Sequence, residues 1–506
     1  MSVCRATSLT LSGIEALPVE VEVDVGSGLP GFSIVGLPDT AVQEARERVK
    51  VAITNSGYKF PTRKVIVNLA PANLRKEGPA FDLPIALAVL AASGVVPPGS
   101  LAGSGIVGEL SLDGGLRGVR GALSFSEGVD REGLRRLVVP RENAAEAASA
   151  GKVDVHGVGN LGEAVDLFRD GEPEPTYPAG SRPEESPAAV EPSPDDFADV
   201  AGQGYAKRAL EVTAAGGHNV LLSGPPGSGK TMLGRRLPGI LPPLTLAESI
   251  EVTKVYSSAG ESNGALVKRR PFRAPHHTIS TAGLAGGGSN PRPGEVSLAH
   301  HGVLFLDEFP EFSRGSLEVL RGPLEDGHVT ISRVAASVTY PARTTLVCSM
   351  NPCPCGYAGD RRKACRCSAG QIERYQSRIS GPLLDRVDIF VDVPRLTREE
   401  LRSGEAAEPS EAVRGRVAEA REAQTARQGA PNAALSGRPL REFCALRGDS
   451  EALLSRAIDR MGLSGRGHDR ILRVARTVAD LAGKEEIAAE HVAEALNYRR
   501  SATFDL

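Results

Sequence analysis

Tryptophan is absent from the 506-residue chain, and aromatic residues make up only 4% of it. That scarcity argues against a broad aromatic platform for stacking nucleic-acid bases. An excess of one charge sign is lacking too. Lys+Arg number 59 and Asp+Glu 62, a formal net charge of -3, which excludes a coat that is basic all over but not a local basic channel. No apolar run is long enough to span a bilayer. The richest, Leu83 to Pro98, is short and carries Pro84, Gly94 and Pro97-Pro98, so it is expected to be a buried core helix. Met1 to Gly13 lacks the basic segment and long apolar core of a secretory signal, so no membrane association and a cytoplasmic location are expected. Of seven cysteines, four crowd between Cys353 and Cys367, which suits a metal in a reducing compartment better than a disulfide framework.

What is present is a globular composition, 41% hydrophobic and 24% charged, in a chain long enough for about three or four domains. The plainest boundary runs from Asp170 to Asp199, where seven prolines and nine acidic residues meet one Arg182. Such a segment buries too little apolar surface to offset its ordering entropy, so it reads as a flexible acidic linker, 170–199. Before it, 1–169 mixes period-two strands (Glu20 to Val25, Lys64 to Leu69) with helical spacing at Thr40 to Ser56 and Asp82 to Ser93, an α+β domain. After it, 200–394 alternates strand-like runs at Asn219–Ser223, Gly302–Leu306 and Thr344–Met350 with helices, the pattern of a parallel α/β core. From 395 to 506 only helical patterns remain, notably the stripe Ile471, Leu472, Val474, Ala475, Val478, Leu481.

Gly224-Pro225-Pro226-Gly227-Ser228-Gly229-Lys230-Thr231 fits G-x-x-x-x-G-K-[ST] and follows the apolar run Val220-Leu221-Leu222. Side-chain-poor glycines let backbone N–H groups curl round phosphates at a helix N-terminus. Lys230 would reach the outer phosphates of ATP and Thr231 would bind Mg²⁺. Val303-Leu304-Phe305-Leu306-Asp307-Glu308 is a buried strand ending in two carboxylates; Asp307 would hold the metal and Glu308 would polarise the attacking water. The alternative, an acidic strand end facing solvent, is disfavoured because both elements occur in the right order.

The order P-loop, Asp307-Glu308, Asn351 at a strand end, Leu383-Leu384-Asp385-Arg386, then helices, resembles the AAA+ ATPases. Pro271-Phe272-Arg273-Ala274-Pro275-His276-His277-Thr278, Ala299-His300-His301-Gly302 and Ser380-Gly381-Pro382-Leu383-Leu384-Asp385-Arg386 resemble more closely the magnesium-chelatase-like AAA+ proteins of the YifB/ComM group. The resemblance implies that Asn351 is a first sensor beside Glu308, that Arg386 is an arginine finger acting across subunits of a homohexamer, and that Arg466 is a second sensor with Arg470 and Arg473 as rivals. Arg386 could otherwise be a surface partner of Asp385 or Asp388. It further implies a motor on single-stranded or branched DNA, a helicase or branch-migration factor in recombination or DNA uptake. A magnesium-chelatase or MoxR-like ATPase that remodels proteins or assists metal insertion is the alternative.

Asn68-Leu69-Ala70-Pro71 through Lys76 to Asp82 is similar to the Lon-protease-type, ribosomal-S5-like fold. Where proteolytic members place a serine and a lysine, this chain carries Ala80 and, near the matching position, Leu123. A methyl is no nucleophile and an isobutyl no base, so peptidase activity is not expected.

Cys353-Pro-Cys355 and Cys365-Arg-Cys367 provide four thiolates in one loop, able to close a tetrahedral Zn²⁺ site or to remain free thiols. His276-His277 and His300-His301 lack a carboxylate at helical ligand spacing and are read as loop hydrogen-bonders. Lys268-Arg269-Arg270 with Arg273, the hairpin-like Gly327 to Arg333, and Arg361-Arg362-Lys363 are candidate DNA contacts by similarity to pore loops. Each could equally be a solvated basic surface.

Overall fold

The computed structural model describes residues 3–97, 99–169, 174–183, 195–288, 291–333, 336–360, 362–397, 408–461 and 464–499. The chain divides into two compact units. The first comprises Met1–Ala189, Leu246–Val267 and Val334–Thr339, the second Val190–Thr245, Lys268–Arg333 and Tyr340–Leu506.

The first unit is a mixed sheet with helices, as the alternation of its sequence suggested. Its strands are β1 (Cys4–Ser12), β2 (Glu15–Gly26), β3 (Gly31–Val35), β4 (Lys64–Ala70), β5 (Ser104–Ile106), β6 (Arg136–Pro140) and β7 (Asp154–Val158), in the order β3-β4-β2-β1-β5-β6-β7. β1 and β2 pair antiparallel from Cys4↔Val23 to Ser12↔Glu15, whereas β5, β6 and β7 run parallel. The period-two pattern of β2 puts Val19, Val21 and Val23 in the core at 0% exposure. Between β3 and β4 lies α1 (Thr40–Asn55), capped by the Asp39 carboxylate on the Val42 amide.

The apolar run becomes α2 (Asp82–Ala92), whose residues are buried on every side, as expected of a helix with no polar face. Its first residue, Asp82, is buried as well. Arg48 of α1 holds it through Nε and Nη2 at 2.8 and 3.0 Å, and the Leu110 amide donates at 3.2 Å. Burial pushes the Asp82 carboxyl up to about 6 in spite of Arg48. Ala80 and Leu123 sit within this unit, where the Ala80 carbonyl accepts from Gly108 and the Leu123 amide donates to Glu146.

Residues 246–267 follow the P-loop in sequence but fold with the first unit. The helix Leu246–Ala259 plants Lys254 between Glu15 and Glu127, at 3.0 and 2.7 Å, and Ser257 donates to the buried Glu146. Part of the stretch read as linker is also ordered. Tyr177 forms an antiparallel bridge with Val155 of β7, and Thr176 Oγ1 accepts from the Gly157 amide. Residues 170–173 and 184–194 lie outside the described residues.

In the second unit, α3 (Gly204–Gly216) precedes a five-stranded sheet: β8 (Val220–Ser223), β9 (Phe272–Arg273), β10 (Val303–Leu306), β11 (Thr345–Met350) and β12 (Ile389–Asp392). The order is β9-β10-β11-β8-β12 and every pairing is parallel. Three of these strands match the expected runs. β9 is only two residues long, too short to leave a periodic trace. The all-helical end holds α4 (Ser410–Gln428), α5 (Gly465–Leu481) and α6 (Ala489–Asn497), with the predicted stripe of α5 buried against α3 and α6 in one core. This multidomain α/β architecture, a parallel sheet followed by helices, fits a P-loop AAA+-like fold. Among the described residues, no helix is long and apolar enough to cross a membrane.

Candidate nucleotide-binding site

Parallel strands bring the ends of β8, β10 and β11 to one edge of the sheet, and the polar residues that follow each strand converge there. After β8 the chain enters Gly224–Gly229 and then the helix Lys230–Ile240. Gly227 and Gly229 take φ of +74° and +93°, left-handed values that turn the loop around its own amides.

Lys230 is buried and donates to the carbonyls of Gly224 and Pro225 at 2.7 and 3.1 Å and to Asn351 Oδ1 at 3.2 Å. It therefore ties the P-loop to the residue immediately after β11. Burial pushes its ammonium down to about 8, against the pull of Asp307 and Glu308. Thr231 Oγ1 donates to Asp307 Oδ2 at 2.8 Å, and the other Asp307 oxygen accepts from the Ser349 hydroxyl and from the Glu308 amide, the latter at 3.0 Å. A threonine hydroxyl and a fixed carboxylate side by side are the donors that a Mg²⁺ bound to phosphates requires. Ser349 escaped the sequence reading. Its only trace is a hydroxyl one residue before the end of a mostly apolar strand that pairs with β10.

Glu308 has φ of 53°, and its side chain is 60% exposed, 3.5 Å from His277 Nδ1. Of the paired histidines, His276 hydrogen-bonds Thr278 Oγ1 and His300 accepts from the Arg343 amide, while His277 makes a contact with Glu308 that the sequence did not suggest. Gln203, also left-handed at φ 54°, donates to the carbonyls of Ser228 and Pro394 and braces the P-loop from outside.

Arg386 pairs with neither neighbouring aspartate. Its guanidinium meets Glu325 and the Pro382 carbonyl, while Asp385 holds Arg470 at 3.0 Å and Asp388 faces His218. Among the arginines of α5, Arg470 is thus buried and engaged, Arg473 donates to the Ala433 carbonyl, and Arg466 lies exposed on the first turn.

Of the basic candidates, Arg270 donates to the carbonyls of Pro242, Pro243 and His301, and Arg273 forms a two-point pair with Glu295 at 2.6 and 2.8 Å. Lys268 and Arg269 are exposed. Arg333 ends the strand His328–Arg333, and its side chain lies outside the described residues, as does Arg361.

Cys353, Cys355, Cys365 and Cys367 gather into one cluster, each sulfur within 4.8 Å of every other. Amides of Ala358 and Cys367 point at the sulfurs of Cys353 and Cys365, and backbone N–H groups of Arg366 and Tyr357 draw the Cys355 thiol down to about 6. Such a cluster could hold a metal.

Comparison with known proteins matches residues 196–401 to magnesium chelatase, subunit ChlI; residues 21–143 to subunit ChlI of Mg-chelatase; and residues 407–499 to the magnesium chelatase, subunit ChlI C-terminal family. An uncharacterized protein YifB of Salmonella typhimurium is 45% identical over 99% of this chain and 97% of its own length. The competence protein ComM of Haemophilus influenzae is 44% identical over 99% of this chain and 98% of its own. The magnesium-chelatase 38 kDa subunit of Cereibacter sphaeroides is 27% identical over 31% of this chain and 53% of its own.

Proposed function

The chain belongs to the YifB/ComM group of magnesium-chelatase-like proteins, and on that premise we propose that it is an ATP-hydrolysing AAA+ motor that works on DNA as a homohexamer. The observation that carries the ATPase part is the convergence of Lys230, Thr231, Asp307, Ser349 and Asn351 at one sheet edge. Lys230 and the P-loop amides bind the phosphates of ATP. Thr231 and Asp307 would hold Mg²⁺, which would supply positive charge to offset that of the phosphates. Glu308 orients and deprotonates the attacking water, with Asn351 beside it.

Arg386 supplies the finger to the neighbouring subunit's site and Arg466 reads the γ-phosphate from the helical end. The DNA part rests on similarity to the competence protein ComM and on the exposed Lys268 and Arg269. Recombination or uptake of DNA, through unwinding or branch migration in the cytoplasm, is the activity this reading gives it. The first unit is then a Lon-like, ribosomal-S5-like domain kept without peptidase chemistry, since Ala80 and Leu123 supply neither nucleophile nor base.

The test is steady-state ATPase of the purified protein alone and with single-stranded, duplex and branched DNA at two salt concentrations. Stimulation that fades with salt supports the motor on DNA. Equal rates with every DNA, together with no binding, would move the function to the second reading, a protein-remodelling or metal-insertion ATPase. That reading is favoured by the partial match to magnesium-chelatase subunits.

A further inference from the structure

The cysteine loop begins two residues after Asn351, and its sulfurs are spaced as a metal would space them. Cys353 Sγ lies 3.4 Å from Cys355 Sγ and 3.7 Å from Cys365 Sγ, and Cys355 Sγ lies 3.6 Å from Cys365 Sγ. Four thiolates at about 2.3 Å from a tetrahedral Zn²⁺ are separated by about 3.8 Å along each edge. These three separations fall close to that edge length, and all seven cysteines of the chain are free of disulfides. Four thiolates on one Zn²⁺ leave two negative charges, and the loop supplies Arg362, Lys363 and Arg366 to offset them. That gives these cations a use other than gripping DNA.

The same loop leans on the P-loop. Gly356 has φ of +84°, and a Cβ at that position would come within 2.5 Å of Pro226 Cδ, so only glycine lets the two loops meet. Arg395 then crosses between them. Its Nη2 donates to the Pro226 carbonyl at 3.2 Å, its Nε faces Asp360 at 3.5 Å, and its guanidinium lies over the Tyr357 ring at 5.3 Å. Lys363 covers the same ring with its ammonium 4.0 Å from the centroid.

We propose that Cys353, Cys355, Cys365 and Cys367 bind one Zn²⁺ as four thiolates, and that this metal knot, through Gly356 and Arg395, fixes Pro226 and so sets the shape of the phosphate loop. The second half rests on the ATP-binding reading, whereas the metal site stands without it. Zinc here touches no phosphate. It holds together a loop of otherwise small and polar residues that has little apolar surface of its own.

The experiment measures zinc and iron in the full-length protein, expressed with zinc and dialysed against a mild chelator, alongside the Cys355→Ser/Cys367→Ser double variant. One zinc per chain in the first and none in the second is the expected result. Zinc below about a tenth of an equivalent, or iron in its place, overturns the site. Should the double variant fail to fold, exchange of the wild-type metal for Co²⁺ keeps the question open to decision: thiolate-to-cobalt charge transfer with tetrahedral d–d bands supports the site, and an octahedral spectrum overturns it.

Coupling is read as the affinity for a fluorescent ATP analogue before and after zinc is stripped by a mercurial and then restored. A reversible loss of about tenfold or more is expected, the scale of outer-shell effects. Unchanged affinity with the zinc gone overturns the clamp and leaves the metal. No binding of the analogue by the zinc-loaded protein would strike the ATP reading and the clamp together, with the metal content unaffected.

Discussion

His277 Nδ1 lies 3.5 Å from Glu308 Oε2, which places the second histidine of a loop pair against the carboxylate that the motor reading charges with activating water. Glu308 is held in a left-handed backbone conformation that non-glycine residues seldom adopt. Glu308→Gln should retain ATP and lose turnover by about a hundredfold or more, the scale of general-base removal. His277→Ala should shift kcat by several-fold with little change in KM, because it alters where the carboxylate points and not what holds the phosphates. A change in KM alone would refute that division of labour.

ATP affinity should fall in alkaline solution. Lys230 has its ammonium depressed to about 8 by burial, so it is charged below that pH and neutral above it. Phosphates favour the charged form, so binding is full below about pH 8 and should weaken about tenfold by about pH 9 through one-proton linkage. Titrating a fluorescent analogue across this range checks it. A Lys230→Arg variant that still binds should give a flat profile, and a flat profile in the wild type would show that Lys230 keeps its charge across this range.

Glu325 occupies Arg386 within one chain, and a finger must leave it to reach a neighbour's nucleotide. Arg386→Ala should cost about a thousandfold in kcat if the guanidinium meets the γ-phosphate. Glu325→Ala should keep or raise turnover. Equal losses from both variants would show instead that the pair itself is what matters. Mixing Arg386→Ala with Glu308→Gln subunits should partly restore activity, since some interfaces regain one intact glutamate and one intact arginine.

In the first unit, Arg48→Met would strand the Asp82 carboxylate at the buried start of α2. Breaking one partner of a buried pair costs about 3–5 kcal/mol. Amides of α2 should then exchange with deuterium roughly a hundredfold faster near neutral pH. Asp82 already titrates at about 6 and would rise further without Arg48, so it becomes neutral on acidification. The penalty should therefore shrink as pH falls toward about 6, where the stranded charge takes up a proton, and level off below it, where the wild-type carboxyl is neutral too. A penalty that grows in acid would contradict the assignment.

Much of the site could be read from the sequence because its motifs are local: a strand, a glycine turn and a helix around Lys230, and a buried strand into Asp307. Its partners were hidden because they are contributed by strand register. Ser349 meets Asp307 only because β11 lies beside β10, and nothing near residue 277 in sequence announces Glu308. The cysteine spacing was plain, yet its contact with the P-loop through Gly356 required coordinates. In the fold, residues 246–267 look like an ordinary helix and loop. Their allegiance is decided by Lys254 and Ser257 meeting acids about a hundred residues or more earlier, a choice no local pattern records.

That allegiance has a consequence for birth on the ribosome. When Ala189 has been synthesised the first unit is still missing the helix Leu246–Ala259, and Glu15, Glu127 and Glu146 await their partners. Elongation at about 5–20 residues per second leaves an interval on the order of ten seconds before that helix arrives. By then the P-loop has already been made. The two units are therefore interleaved in time, and a fragment cut at the acidic stretch would carry an acidic surface meant for a helix it no longer owns.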